Sequence, residues 1–160
     1  QYVKWVHIGT YIENFSEKYY EKILTSVQSN SKKNITIELL GNLSNEAVLN
    51  YYKTNEIDLF MNASASEGIS VAIMEAMSCA IPVIATNVGG TSELVNETNG
   101  ILVDGNIDAK ELKVEIDNFF NLDSEKVRSL RQSAFNTIET DYNAQKNYNQ
   151  FINQIVKISS

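Results

Sequence analysis

Ile57-Asp58-Leu59-Phe60-Met61-Asn62, then Ala63-Ser64-Ala65-Ser66-Glu67-Gly68, then Val71 to Cys79, then Pro82-Val83-Ile84-Ala85-Thr86 follow one another along the chain. The first run is short and densely apolar, as a strand buried in a sheet would be. The second is a turn of small and polar residues. The third, with Val71, Ala72, Ile73, Met74, Ala76 and Met77, is apolar almost all round and predicts a buried helix with one carboxylate, Glu75, in its middle. Pro82 opens the fourth run, a position a strand tolerates because its first residue need not donate to the ladder. Strand, loop, buried helix and strand in that order make a parallel β-α-β unit.

The same alternation continues on both sides. Upstream, Val3–Gly9 and Ile35–Gly41 read as strands. Between them, Ser16 to Gln28 carries Tyr19, Tyr20, Ile23, Leu24 and Val27 at helical spacing, and Ser44 is a fitting N-cap for a helix through Tyr52 with Ala47, Val48, Tyr51 and Tyr52 as its inner stripe. Downstream, Gly89-Gly90 turns into a short helix over Thr91–Val95, and Gly100–Val103 is a fifth strand. Asp108 with Glu111 three residues on predicts a capping box. Helices over about Ser124–Thr140 and Ala144–Ile158 finish the chain. The pattern predicts an α/β, Rossmann-like, doubly wound parallel sheet of about five strands with helices on both faces. It reads as one domain over residues 1–160.

The chain's 160 residues suffice for one core. Its 13 Lys and Arg against 20 Asp and Glu give a net charge of −7, which argues against a nucleic-acid groove. The single cysteine, Cys79, forms no intrachain disulfide, reads as an inert core thiol, and suits a reducing, cytoplasmic compartment. There is no Cys/His cluster for a metal, and no apolar run nears the roughly 18 residues that span a bilayer. The sequence lacks GxGxxG, GxxxxGK[ST] and a Ser-His-Asp set, and its one histidine, His7, falls inside a strand.

In a doubly wound sheet the ligand crevice lies at the carboxyl ends of the strands. That puts Gly9, Gly41, Asn62–Gly68 and Asn87–Gly90 on one rim. The loop ending in Glu67-Gly68 enters the buried helix and presents the amides of Ile69, Ser70 and Val71, an arrangement that favours an anion. Gly68 would let a ligand approach the backbone closely. Glu75 sits about one and a half turns into the helix, where an ionised carboxylate needs ligand hydroxyls or nearby donors as partners. Two acids flanking an amide cluster suit a nucleoside diphosphate sugar, with ribose at one end and hexose at the other.

Glu67-x7-Glu75, followed by Ala80-Ile81-Pro82-Val83-Ile84-Ala85-Thr86 and Gly89-Gly90-Thr91-Ser92-Glu93, resembles the donor-binding signature of the group 1 (family 4) retaining glycosyltransferases of GT-B fold. The likeness implies the C-terminal, donor-binding half of that fold. By it, Glu75 would accept the ribose hydroxyls and Glu67 would contact hydroxyls of the transferred sugar as the catalytic residue. The amides around Gly68, Ile69, Ser70 and Val71 would hold the diphosphate. Ser64 would correspond to the family's serine three residues before Glu67, with Ala63 in place of the usual proline. Gly41 with Asn42 and Leu43 would receive the nucleobase, and Gly89 and Gly90 would shape the rim.

The donor implied is a UDP-sugar or GDP-sugar, with no metal or other cofactor. The acceptor implied is a saccharide or a lipid-linked saccharide held by an N-terminal domain. Such an acceptor allows peripheral association of the full-length enzyme with the inner face of the membrane. The family's first strand ends in Gly-Arg-Leu with a Lys-Gly beyond it, whereas here Gly9 precedes Thr10-Tyr11 and Lys18 is not followed by glycine. Val3–Gly9 therefore aligns better with the family's second strand, and the expectation is a donor domain lacking its first strand and inactive alone. The alternative class is a non-catalytic nucleotide-sugar binding or regulatory module.

Overall fold

A computed structural model describes residues 2–9, 17–29 and 33–158. The elements run β1 (Val3–Ile8), α1 (Glu17–Gln28), β2 (Ile35–Gly41), α2 (Asn45–Thr54), β3 (Phe60–Asn62), α3 (Val71–Ser78), β4 (Val83–Asn87), α4 (Thr91–Leu94), β5 (Ile101–Asp104), α5 (Ala109–Phe120), α6 (Ser124–Asp141) and α7 (Ala144–Ile158). The chain divides into two compact units, Gln1–Tyr51 and Tyr52–Ser160, with the boundary inside α2. The predicted strands are all present and all parallel. Among the described residues they pair in two ladders, β1 with β2 and β3–β4–β5, where the sequence suggested one sheet.

In the first unit, β1 and β2 run in register from Val3 opposite Ile35 to His7 opposite Leu39, then slip so that Ile8 lies opposite Gly41. Gly9 N–H donates to Gly41 O at 2.8 Å, and both glycines hold positive φ, +129° and +66°, which a side chain would resist. The predicted N-cap is formed: Ala47 N–H donates to Ser44 Oγ at 3.2 Å. The inner stripe of α2 is half-buried throughout. Thr10, Tyr11 and Ser16 lie outside the described residues, as do the side chains of Lys18, Tyr19 and Tyr20.

The second unit is built on β4, whose Val83, Ile84, Ala85 and Thr86 are all buried. Alternation along this central strand sends side chains to two cores. Val83 and Ala85 pack with Ile73, Ala76 and Met77 of α3, Leu94 and Val95 at α4, and Ala134 of α6. Ile84 packs with Val103, Phe119 of α5 and Leu130. This double-sided burial is the doubly wound pattern. The predicted capping box opens α5: Lys110 and Glu111 N–H donate to Asp108 Oδ1, and Asp108 N–H donates to Glu111 Oε2.

Three expectations are corrected. β3 begins at Phe60, not Ile57, because the Ile57 carbonyl accepts from Arg131 Nη2 at 2.8 Å and is not in the ladder. The helix α3 is not buried all round: Val71 is 63% exposed and Ala72 is exposed, because its first turn stands at the strand-end rim. Cys79 is half-buried, not a sealed core thiol, and it lines a cavity with Tyr52, Ile57, Ile81 and Arg131.

Candidate functional site

The carboxyl end of β3 opens into the 63–70 loop, and a single side chain organises that loop. Asn62 Oδ1 accepts the Ser64 N–H at 3.0 Å, closing an Asx turn. Asn62 Nδ2 donates to Glu67 Oε1 and to Ser70 Oγ, both at 3.2 Å. Ser64 Oγ donates to the same Glu67 Oε1 at 2.7 Å. From β4, Thr86 Oγ1 donates to the Ser64 carbonyl at 2.6 Å. Glu67 is thus held by two neutral donors on one oxygen, and among the described residues it forms no ion pair.

The loop feeds α3 through Ser70, which is buried and has the extended backbone of an N-cap, φ −73° and ψ 114°. Its side chain makes no capping hydrogen bond. The first helical turn leaves backbone N–H groups without intrahelical partners. The ladder starts with Met74 N–H donating to Ser70 O at 3.2 Å, so the N–H groups of Val71, Ala72 and Ile73 precede it. Those amides and the positive pole of the helix dipole stand beside exposed Ile69 and Val71, an opening suited to an anion.

Gly89 and Gly90 press against the back of this loop. Gly89 has φ +54°, and a Cβ there would lie 1.7 Å from Glu67 O. Gly90 N–H donates to Gly68 O at 2.9 Å, and a Cβ on Gly90 would lie 3.0 Å from that oxygen. Gly68 itself is unlike its neighbours, since a Cβ there would meet nothing within 4 Å. Its side-chain position is open space at the rim.

Glu75 is half-buried in α3, and its charge reaches Tyr52. Burial pushes the Tyr52 phenol up to about 12, with the Glu75 carboxylate and then Cys79 adding to the shift. Tyr52 also packs edge-on to Phe60, with ring centroids 6.2 Å apart.

The structure therefore brings Ser64, Glu67, Gly68, Ile69, Ser70, Val71, Gly89 and Gly90 into one cluster, with Glu75 farther along the same helix. Gly41, Asn42 and Leu43 belong to the first unit, where Gly41 ends β2 and Asn42 is exposed. Sequence reasoning placed Asn62 on the rim but gave it no part. The signal was available, because an Asn ending a strand two residues before a loop serine is an Asx-turn pattern. Among the described residues no group of three His, Cys, Asp or Glu could hold a metal ion. Nor is any described helix long and apolar enough to cross a membrane.

Comparison with known proteins supplies the context for this geometry. The family described as Glycosyl transferases group 1 matches residues 7–137. The O-antigen biosynthesis glycosyltransferase WbnH of Escherichia coli is 35% identical over 100 residues, covering 62% of this chain and 29% of that protein. An uncharacterized glycosyltransferase of Methanocaldococcus jannaschii is 38% identical over 104 residues, covering 63% and 28%. The chain thus spans about three-tenths of the length of the curated relatives it matches.

Among solved structures, Anabaena HepE in complex with UDP superposes with a TM-score of 0.75 at 23% identity, covering 95% of this chain and 40% of that one. The C-terminal domain of a group 1 family glycosyl transferase from Francisella tularensis superposes with a TM-score of 0.54 at 18% identity, covering 89% and 87%. At these identities the likeness concerns the fold, a Rossmann-like half of a GT-B enzyme. With the family match spanning most of its length, the chain belongs to the group 1 glycosyl transferases.

Proposed function

We propose that the chain binds the nucleoside diphosphate sugar donor of a retaining glycosyltransferase that transfers the sugar to a saccharide or lipid-linked acceptor. The observation that carries the reading is the rim cluster. Glu67 is clamped on one oxygen beside a helix N-terminus whose cap residue leaves the amides open. In this reading the N–H groups at the start of α3 hold the diphosphate, and Glu67 accepts hydroxyls of the sugar. Glu75 accepts the ribose hydroxyls. Leaving-group charge develops on the diphosphate, so fixed amide dipoles aimed at it would supply the largest stabilising term. No metal is needed for that step. The UDP and UDP-glucose complexes of HepE and the O-antigen relatives support donor and acceptor classes of this kind.

Calorimetric titration of the chain with UDP-glucose, GDP-mannose and the matching free diphosphates tests the reading. Binding of at least one sugar nucleotide is expected. Glu75→Ala should weaken sugar nucleotide and diphosphate together by roughly 10- to 100-fold, the cost of lost hydrogen bonds to a charged group. Glu67→Ala should weaken only the sugar nucleotide. If Glu75→Ala binds both as well as the parent does, the ribose assignment is wrong.

A further inference from the structure

We infer that Asn62 is a positioning residue that sets the direction of the hydrogen bonds at the donor site. It leaves Glu67 Oε2 as an acceptor for sugar hydroxyls and the Ser70 hydroxyl as a donor to the diphosphate. The inference rests on the donor-binding reading above and adds to it a residue and a polarity.

An Asn side chain has one accepting and one donating end. The Ser64 N–H can only donate and lies 3.0 Å from the end of Asn62 that is therefore Oδ1. The other end is the NH2 group, and its two protons go to Glu67 Oε1 and Ser70 Oγ. Oε1 accepts a second hydrogen bond from Ser64 Oγ, so its lone pairs are engaged. Oε2 is the oxygen left to a ligand.

Ser70 is the other half of the device. It is 6% exposed and sits where a serine ordinarily accepts an amide proton from the first helical turn. Here its oxygen accepts from Asn62, and no cap bond forms. The hydroxyl keeps its own proton for a ligand, and the α3 amides keep theirs. Asn62 thus turns a self-capping serine into a further anion donor beside an open helix end.

Asn62→Asp keeps the shape and the bond to Ser64 N–H but puts an oxygen in place of Nδ2. Acceptor then faces acceptor and anion faces anion across 3.2 Å at Glu67. The pair regains its bond only by sharing a proton, so ligand binding becomes pH-dependent. The other acids on surrounding elements are Glu75 of α3, whose charge reaches Tyr52, Glu93 of α4, whose charge reaches Tyr142, and Asp104 of β5, which accepts the Asn106 N–H. Their surroundings are the same in parent and variant, so a difference between the two pH profiles belongs to the 62–67 pair.

Titration of the chain with UDP-glucose and GDP-mannose at pH 8 and pH 5.5 decides the matter, because neither probe carries a phosphomonoester that titrates in this range. Asn62→Asp should bind roughly 10- to 100-fold more weakly than the parent at pH 8 and recover to within about 3-fold at pH 5.5. Combined with Glu67→Gln, it should lose the difference between the two pH values, since an amide NH2 can then face the new carboxylate and no proton need be shared. Ser70→Ala should weaken UDP or GDP by roughly 10-fold and leave uridine or guanosine unchanged. This arm carries the test should Asn62→Asp fail to fold by circular dichroism. Equal binding by parent and Asn62→Asp at both pH values, or no diphosphate-selective loss in Ser70→Ala, overturns the inference and leaves the donor-binding reading standing. A parent that binds neither sugar nucleotide overturns both.

Discussion

Gly68 and Gly89 occupy neighbouring backbones and answer to different demands. At Gly89 the demand comes from the protein, because φ is +54° and an added Cβ would overlap the Glu67 carbonyl at 1.7 Å. Left-handed geometry costs a non-glycine residue about 1–2 kcal/mol, and relieving the overlap adds more. Gly89→Ala should therefore destabilise the chain by about 2–4 kcal/mol, read as a fall in Tm of roughly 5–15 °C. At Gly68 nothing in the protein stands within 4 Å of the new Cβ. Gly68→Ala should keep stability within about 1 kcal/mol of the parent while weakening sugar-nucleotide binding. Thermal melts and titration of the two variants check this, and unchanged affinity in Gly68→Ala would mean that no ligand passes there. The sequence suggested a close ligand approach at Gly68 and a rim turn at Gly89. It did not show that Gly89 is there for the backbone of Glu67, because that contact joins loops separated by a helix and a strand.

Elements were legible wherever the signal was local. The Asp108 box, the Ser44 cap and the strand opened by Pro82 all rest on residues within a few positions of one another, and each is present as expected. The start of β3 was not legible, because Arg131, 74 residues away, takes the Ile57 carbonyl. Arg131 Nη1 also donates to Ala80 O at 3.1 Å, fastening the end of α3. That end holds a local feature of consequence. Ala80 N–H donates to Met77 O and Ile81 N–H to Ala76 O, the paired bonds of a Schellman turn. The turn needs a left-handed residue, and here it is Ala80 at φ 55°, not glycine. Ala80→Gly relieves that strain at some cost in unfolded-chain entropy. A net gain of about 0.5–1 kcal/mol, or a rise of about 1–4 °C in Tm, is expected by calorimetry. A lower Tm would mean that the Ala80 methyl contributes packing worth more than the strain.

For the molecule as a whole, the motif was a better guide than the strand pattern. The acids and glycines of the signature named the family, while the pairing of strands into two ladders and the division into two units depend on contacts no short stretch encodes. One global property follows from a residue the signature does not include. Tyr52 joins the α3 core and carries a phenol raised to about 12, first by burial and then by the charge of Glu75. The folded state therefore favours the neutral phenol more than the unfolded chain does, where tyrosine ionises near 10. Its contribution is fully present below about pH 10 and is lost as pH climbs toward about 12. Two pKa units would correspond to about 2.7 kcal/mol, but the ring is half-exposed and solvent screens part of that, so about 1 kcal/mol is expected. Urea unfolding should show the parent losing about 1 kcal/mol more than Tyr52→Phe between pH 10 and pH 12, other tyrosines acting equally on both. Glu75→Gln should let the Tyr52 phenolate absorbance appear at lower pH, since one of the two main causes of the shift is gone. Parallel stability profiles for the parent and Tyr52→Phe would show that this phenol ionises as it does in the unfolded chain, and that Glu75 directs its charge elsewhere.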